Sequence, residues 1–139
     1  MKDWRYKLDA PYSYKSPLLA GIFFENEWGV MDGGRIEVAK GYAWDGCSPA
    51  WKVGPFWLGT PDGLEMQDGK PQAYYASLVH DYLCQFRADV PIRKAVTVEL
   101  FREMLLNRGF SPLRAAIYAK AVHLFGPQEW RGDLAVKVS

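Results

Sequence analysis

The sequence predicts an α+β fold in which an N-terminal antiparallel β-hairpin or small sheet is followed by three C-terminal α-helices. Polar and apolar residues alternate early in the chain, helix-capping residues recur in its second half, and 49% hydrophobic with 24% charged residues is typical of a globular domain. We expect residues 1–139 to form a single domain. Its parts are mainly β-structure over 1–49, a long loop over 50–72, helices over 73–126 and a tail over 127–139.

The clearest β signal is a hairpin in the first fifty residues. Arg35–Ala39 alternates polar and apolar residues, as a half-buried strand does. Asp32-Gly33-Gly34 just before it supplies the positive-φ residues that a tight hairpin turn needs, and the upstream partner strand should be Gly21–Met31. Weaker strand candidates lie beside prolines that belong at strand ends: Trp4–Leu8 and Tyr12–Tyr14, with Pro11 and Pro17.

Residues 50–72 mix glycines with prolines and predict an irregular loop, longer than simple connections in compact domains. A loop of this length is typical of a lid or binding loop, and equally of a segment that packs on the protein surface. A first helix should then cover Pro71–Gln85.

Capping residues mark two further helices. The second should open with Asp89 near the N-cap and Pro91 in the first turn, and stop at Gly109. The third begins at Ser111-Pro112 and ends at Gly126-Pro127. We expect the second helix to bury Ala95, Val98, Phe101 and Leu105, and the third, with few charges and several alanines, to be the most buried.

Composition excludes several classes of protein. A net charge of +1 does not favour a nucleic-acid partner. The longest apolar stretch, Leu18–Phe24, falls far short of the ~20 residues of a membrane span. The first residues lack a signal-peptide pattern, so we expect a cytoplasmic protein. Aromatic residues make up 15% of the chain, and we expect them mainly to build the core.

Two segments contain the residues best suited to chemistry. Asp45 leaves the last predicted strand, and His80 and Asp81 are adjacent in the first helix, where their side chains point about 100° apart and can border one cavity. Asp45, His80 and Asp81 are therefore predicted as catalytic residues and as ligands of a divalent metal that activates water. The alternative is a buried structural anchor in which the carboxylates and the imidazole bond to protein groups. If the two segments share a site, Asp45 and His80 should lie within one side chain's reach.

Two alternatives involve sulfur. Cys47, Cys84, His80 and His123 are all the cysteines and histidines of the chain, and His80 and Cys84 are one helical turn apart, so a tetrahedral zinc site is conceivable. In the second alternative, Cys47 is a nucleophile and His80 its base, because Asp-Gly-Cys-Ser partly resembles the Asp-Cys-Ser of papain-like cell-wall peptidases. In a reducing cytosol we expect both thiols to stay free.

The two segments resemble a family of small phage and prophage proteins, domain of unknown function family 1353. Gly41 and Asp45–Ser48 match its first motif, and Ala76, His80, Asp81 and Leu83 match its second. The end of the family pattern corresponds to Gly126 and Trp130. Relatives carry a small residue in place of Cys47 and an aromatic residue in place of Cys84. Many also have an aspartate near Thr97 or Val98, which this chain lacks.

The resemblance implies a phage or prophage setting and a shared cluster of Asp45, Ser48, His80 and Asp81. We therefore expect a phage-encoded accessory protein with a hydrolase-like or metal-binding pocket, acting on peptidoglycan or a nucleotide-like molecule. The alternative is a non-enzymatic virion or host-interaction protein in which the same cluster is a structural anchor. Either protein would have virion or host proteins as partners and be found in the host cytoplasm or in the virion.

Overall fold

The structure, a computed structural model, describes residues 6–44, 73–125 and 128–133. Within these ranges an N-terminal antiparallel sheet precedes three helices, so the predicted α+β class is confirmed. The strands are β1 (Tyr6–Lys7), β2 (Tyr12–Lys15), β3 (Phe24–Asn26), β4 (Gly29–Asp32), β5 (Arg35–Val38) and β6 (Ala43–Trp44). The helices are α1 (Tyr74–Gln85), α2 (Lys94–Asn107) and α3 (Pro112–Phe125).

The main sheet has the strand order β2-β5-β4-β3, and β1 pairs separately with β6. The predicted hairpin is confirmed: Asp32 pairs with Arg35, and Gly33 and Gly34 between them have φ of +55° and +77°. Both central residues thus adopt the left-handed conformation of a two-residue turn that matches the strand twist.

The predicted upstream partner, Gly21–Met31, is not one strand but two. β3 and β4 are joined by a turn in which the Asn26 side-chain oxygen accepts hydrogen bonds from Trp28 N and Gly29 N, each 2.9 Å long. Asparagine favours such turns because its side chain reaches backbone donors two and three residues ahead. This turn divides the segment and gives the sheet its outer strand.

The start of α3 is as predicted, whereas the start of α2 is not. Ser111 Oγ accepts a hydrogen bond of 3.2 Å from Arg114 N, which is the predicted cap of α3. By contrast, α2 begins at Lys94, so Asp89 and Pro91 lie in the connection that precedes it. Its first amide, Lys94 N, donates instead to Asp133 Oδ2 at 3.1 Å. A carboxylate from the end of the chain therefore caps this helix.

The buried face of α2 also differs from the prediction. Phe101 and Leu105 are buried as expected, but Ala95 is exposed and Val98 only half-buried. The helix is rotated relative to the prediction, so that its other buried residues are Lys94, Thr97, Leu100 and Met104. One of these core positions is thus a lysine.

One hydrophobic core joins the sheet to the helices. The sheet contributes Met31, Ile36 and Val38, and α1 packs against it with both aliphatic and aromatic side chains. Most described aromatic residues are buried or half-buried, Phe23 being exposed, which agrees with the expected role in the core. The buried residues of α1 are Tyr74, Ala76, Ser77, Leu78, Val79, His80, Tyr82 and Leu83.

The expectation that α3 is the most buried helix is wrong. Its inner residues Ala115, Tyr118 and Val122 are buried, but Leu113, Ile117 and Leu124 are exposed. The few charges of α3 reflect an apolar outer face rather than complete burial. No helix in the described part of the chain is long and apolar enough to cross a membrane.

Residues 128–133 pack against the start of α2. Trp130 is buried, Arg131 N donates to Arg87 O at 3.0 Å, and Gly132 N donates to Ile92 O at 3.2 Å. This contact places Asp133 beside the first turn of α2.

Candidate functional site

The predicted site residues are described only in part. His80 and Asp81 lie in the middle of α1. Asp45 and Cys47, together with Ser48 and the loop over 50–72, lie outside the described residues. The predicted approach of Asp45 to His80 therefore stays a prediction, as does the catalytic and metal-binding set that Asp45 would complete.

One face of α1 is joined to β6 by side-chain hydrogen bonds. Trp44 Nε1 donates to Ser77 Oγ at 3.0 Å, and Tyr42 OH donates to Gln85 Oε1 at 2.7 Å. Ser77, Asp81 and Gln85 are spaced by four residues, so they share this face of the helix. Asp81 thus lies at the junction of strand and helix, and its carboxylate contributes, after burial, to raising the pKa of Tyr42.

His80 lies on the neighbouring face of α1, between this helix and α2. Its side chain is 5% exposed, and its ring centroid is 5.2 Å from that of Phe101. The Nδ1 atom is 4.0 Å from Asp81 Oδ1, an ion-pair distance that is too long for a hydrogen bond. The imidazole is therefore enclosed by protein groups while remaining close to one carboxylate.

The protonation of His80 results from opposing effects. Burial lowers the pKa of His80, because a charged imidazolium is poorly solvated in the interior. Cys84 and the Asp81 carboxylate outweigh burial and raise the pKa from its ordinary 6.5 to about 10. The net direction favours the protonated imidazole beside Asp81.

Cys84 contacts the same ring, as its position one turn after His80 predicted. Its Sγ lies 3.6 Å from His80 Nδ1 and 3.7 Å from Nε2. Because the N–H directions of the two ring nitrogens diverge, a sulfur almost equally distant from both is aligned with neither. The free thiol packs against the ring as a small polarisable group.

His123 does not join this cluster, and the zinc hypothesis loses one of its four ligands. His123 is exposed in the last turn of α3, whereas His80 and Cys84 are together in α1. Among the residues that the structure describes, no group of three or more His, Cys, Asp or Glu side chains could hold a metal ion. Cys47 lies outside those residues, so its role as a nucleophile stays untested.

Lys94 is a buried polar residue that the sequence analysis missed. Its Nζ donates to His123 O and to Gln128 Oε1, both at 2.7 Å. Burial lowers the pKa of Lys94, and Asp133 and Cys84 oppose this effect. The Lys94 ammonium group donates to a carbonyl in the last turn of α3. A positive charge at this position interacts favourably with the negative end of the helix dipole. No local sequence signal marks this lysine, because its partners come from other elements.

A second polar cluster joins β2 to α2 and was also missed. Tyr14 OH donates to Glu103 Oε2 at 2.6 Å, and Ser16 Oγ donates to Glu103 Oε1 at 3.1 Å. Asn107 Nδ2 donates to the same tyrosine oxygen at 2.8 Å. These bonds tie the edge strand of the sheet to the outer surface of α2.

An open cavity of about 430 Å³ lies beside the β4–β5 turn. It is lined by glycines and by residues next to the short 3-10 helix Pro17–Leu19, with Lys15 as its charged side chain. None of the predicted site residues lines this cavity.

No protein-family model matches this chain, and no curated protein or solved structure is significantly similar to it. The resemblance to the phage family therefore stays an expectation that rests on the motif residues alone. Any function proposed for the chain has to be argued from its own geometry.

Proposed function

We propose that this chain is a non-enzymatic accessory protein of a phage or prophage, a virion or host-interaction protein in which His80 and Asp81 form a structural anchor. The observation that carries this proposal is the enclosure of His80 between Phe101, Cys84 and Asp81. The phage setting rests on the resemblance of the His80-Asp81 segment to the family motif.

Contacts along α1 connect this helix to β6 on one side and to α2 on the other. Its β6 side holds the Trp44–Ser77 and Tyr42–Gln85 hydrogen bonds, and its α2 side holds His80 against Phe101. A general base or a metal ligand has to present a nitrogen lone pair to substrate or metal. An imidazole enclosed by Phe101, Cys84 and Asp81 serves instead to orient α1 against its neighbours.

The second candidate is a hydrolase-like or metal-dependent enzyme that uses Asp45, His80 and Asp81. It is favoured by the proximity of His80 Nδ1 to Asp81 Oδ1, 4.0 Å, and by the sequence, in which Asp45 directly follows Trp44. In this candidate a divalent metal would be held by these three residues, and the substrate would be peptidoglycan or a nucleotide-like molecule.

Metal analysis of the purified full chain separates the two candidates. For the anchor, we expect no stoichiometric metal in the parent protein, and His80→Ala should lower the melting temperature by several degrees. His123→Ala is the matched control, since it removes an exposed histidine from α3 and should leave the melting temperature unchanged. Stoichiometric metal that is lost in His80→Ala and retained in His123→Ala would overturn the anchor and establish the metal site.

A further inference from the structure

The outer face of α3 is apolar although it is open to solvent. The inner face packs into the core through Ala115, Tyr118 and Val122. On the outer face Leu113 is 71% exposed, Ile117 43% and Leu124 53%. Single exposed apolar residues are ordinary, but here three lie on one side of one helix, in a row that also contains Lys120.

These residues have the spacing of a helix-pairing seam. Positions 113, 117, 120 and 124 are separated by four, three and four residues, which is the alternation of the d and a positions of a heptad. We call Leu113, Ile117, Lys120 and Leu124 the outer seam. A stripe this narrow suits contact with one further helix rather than with a broad apolar surface.

The charge of α3 indicates what kind of helix would fit. Arg114 and Lys120 are its charged residues, and Pro112–Phe125 contains no aspartate or glutamate. Lys120 lies within the outer seam, and Arg114 is held nearby over the Phe110 ring at 4.4 Å. A second copy of α3 would bring more positive charge and no carboxylate to pair with it.

We propose that the outer seam binds an amphipathic helix of another protein that has apolar residues at the same spacing and acidic residues beside them. The apolar contacts would supply most of the affinity, and carboxylates facing Lys120 and Arg114 would select the partner. This proposal rests on the interaction role proposed above and names the chemistry of the partner.

The test uses two synthetic helical peptides of about three heptads with leucine at the a and d positions. One carries glutamate at the flanking e and g positions and the other carries lysine. We expect the full-length chain to bind the glutamate peptide at least about tenfold more tightly, measured by fluorescence anisotropy. Ile117→Ser should weaken that binding at least about tenfold, and Lys120→Glu should remove the preference for the glutamate peptide.

Phe23→Ser is the matched control, because it removes an exposed apolar side chain outside α3 and should leave binding unchanged. Circular dichroism verifies that each variant is folded, as expected for exposed positions. Equal binding of the two peptides, no binding of either, or binding that persists in Ile117→Ser would overturn the proposal.

Two further measurements decide whether the outer seam binds this partner helix, a second copy of the chain or a lipid surface. A dimer in sedimentation that dissociates in Ile117→Ser would replace the proposed helix by a second copy of the chain. Binding to phosphatidylglycerol vesicles that is lost in Ile117→Ser, without selective peptide binding, would replace it by a lipid surface. Failure of the peptide test leaves the metal analysis of His80 unaffected, so the two proposals fail separately.

Discussion

At the scale of single residues, Gly132 shows how a close backbone contact restricts the choice of side chain. A Cβ atom at this position would lie 2.5 Å from both Arg93 N and Ile92 O, where real Cβ atoms do not fit. Both neighbours are backbone atoms, so neither can move aside as a flexible side chain does. The contact of residues 128–133 with the start of α2 therefore requires glycine.

We expect Gly132→Ala to lower the free energy of unfolding by about 2 to 4 kcal/mol, because the turn has to separate from α2 to make room. Gly21→Ala is the comparison: Gly21 has open space around it and only a φ of +80° opposes the change, so the cost should be about 1 kcal/mol. Denaturant titration measures both values. Equal costs would show that the contact with Ile92 and Arg93 does not restrict position 132.

His80 should make the stability of the protein depend on pH. Its pKa in the folded protein is raised from 6.5 to about 10, so its charged form is favoured by folding. The sign follows from linkage: this contribution is fully present below about pH 6.5 and is lost as the pH rises toward 10. We expect the difference in unfolding free energy between the parent and His80→Asn to be larger at about pH 6 than at about pH 10.

Between about pH 6 and 10, the difference in unfolding free energy between the parent and His80→Asn should decrease by at least about 1 kcal/mol. This is roughly the value of a shift by one pKa unit. The measurement is repeated in a Cys84→Ala background, because Cys84 contributes to the raised pKa of His80. A difference that stays constant from about pH 6 to 10 in both backgrounds would contradict a protonated, stabilising His80.

At the scale of the elements, α2 depends on a cap that is remote in sequence. Asp133 Oδ2 accepts the hydrogen bond of Lys94 N at 3.1 Å, and Asp133 Oδ1 is 3.4 Å from Arg93 Nε. A carboxylate at this end also interacts favourably with the helix dipole. The short turn that contains Asp133 thus stabilises the beginning of a helix 39 residues earlier.

We expect Asp133→Ala to lower the free energy of unfolding by about 1 kcal/mol, a typical cost of losing an N-terminal cap. Asp89→Ala is the matched control, since the sequence analysis assigned the cap to Asp89 whereas the structure leaves it exposed before the helix. Its cost should be below about 0.5 kcal/mol. Thermal melts followed by circular dichroism compare the two, and a larger loss in Asp89→Ala would restore the original assignment.

At the scale of the whole molecule, the sheet and the helices share one core. Ile36 of β5 is fully buried, in the same cluster as Leu78 and Leu83 of α1. If residues 1–139 form a single domain, as the sequence predicts, damage to the sheet should reach the helices. The sheet and the helices should then unfold in one transition.

Replacing Ile36 with alanine should cost about 2 to 5 kcal/mol, the usual range for deleting a fully buried aliphatic side chain. We expect helix content by circular dichroism and tryptophan fluorescence to give coincident transitions in both parent and variant. Glu25→Ala, on the exposed side of β3, serves as a control and should change the midpoint little. Two separate transitions, with only fluorescence shifted by Ile36→Ala, would show that the sheet is an independent unit.

The features that could be predicted from the sequence are those that depend on neighbours along the chain. The Gly33-Gly34 turn follows from the φ angles open to glycine, and the Ser111 cap follows from a side chain that reaches an amide three residues ahead. The contact of His80 with Cys84 follows from the helical repeat, which brings positions four apart together. In each case the partners are at most four residues apart, so a local pattern was enough.

The three-dimensional fold was needed to find the features whose partners are distant in sequence. Asp133 rather than Asp89 caps α2, Lys94 is buried against His123 O and Gln128 Oε1, and Trp44 bonds to Ser77. It also decided that α3 leaves an apolar face open, because an apolar helix is recognised from its sequence but the number of neighbours that cover it is not. Long-range contacts arise only when the chain is folded, and they determine which polar side chains are enclosed and which apolar ones remain in solvent.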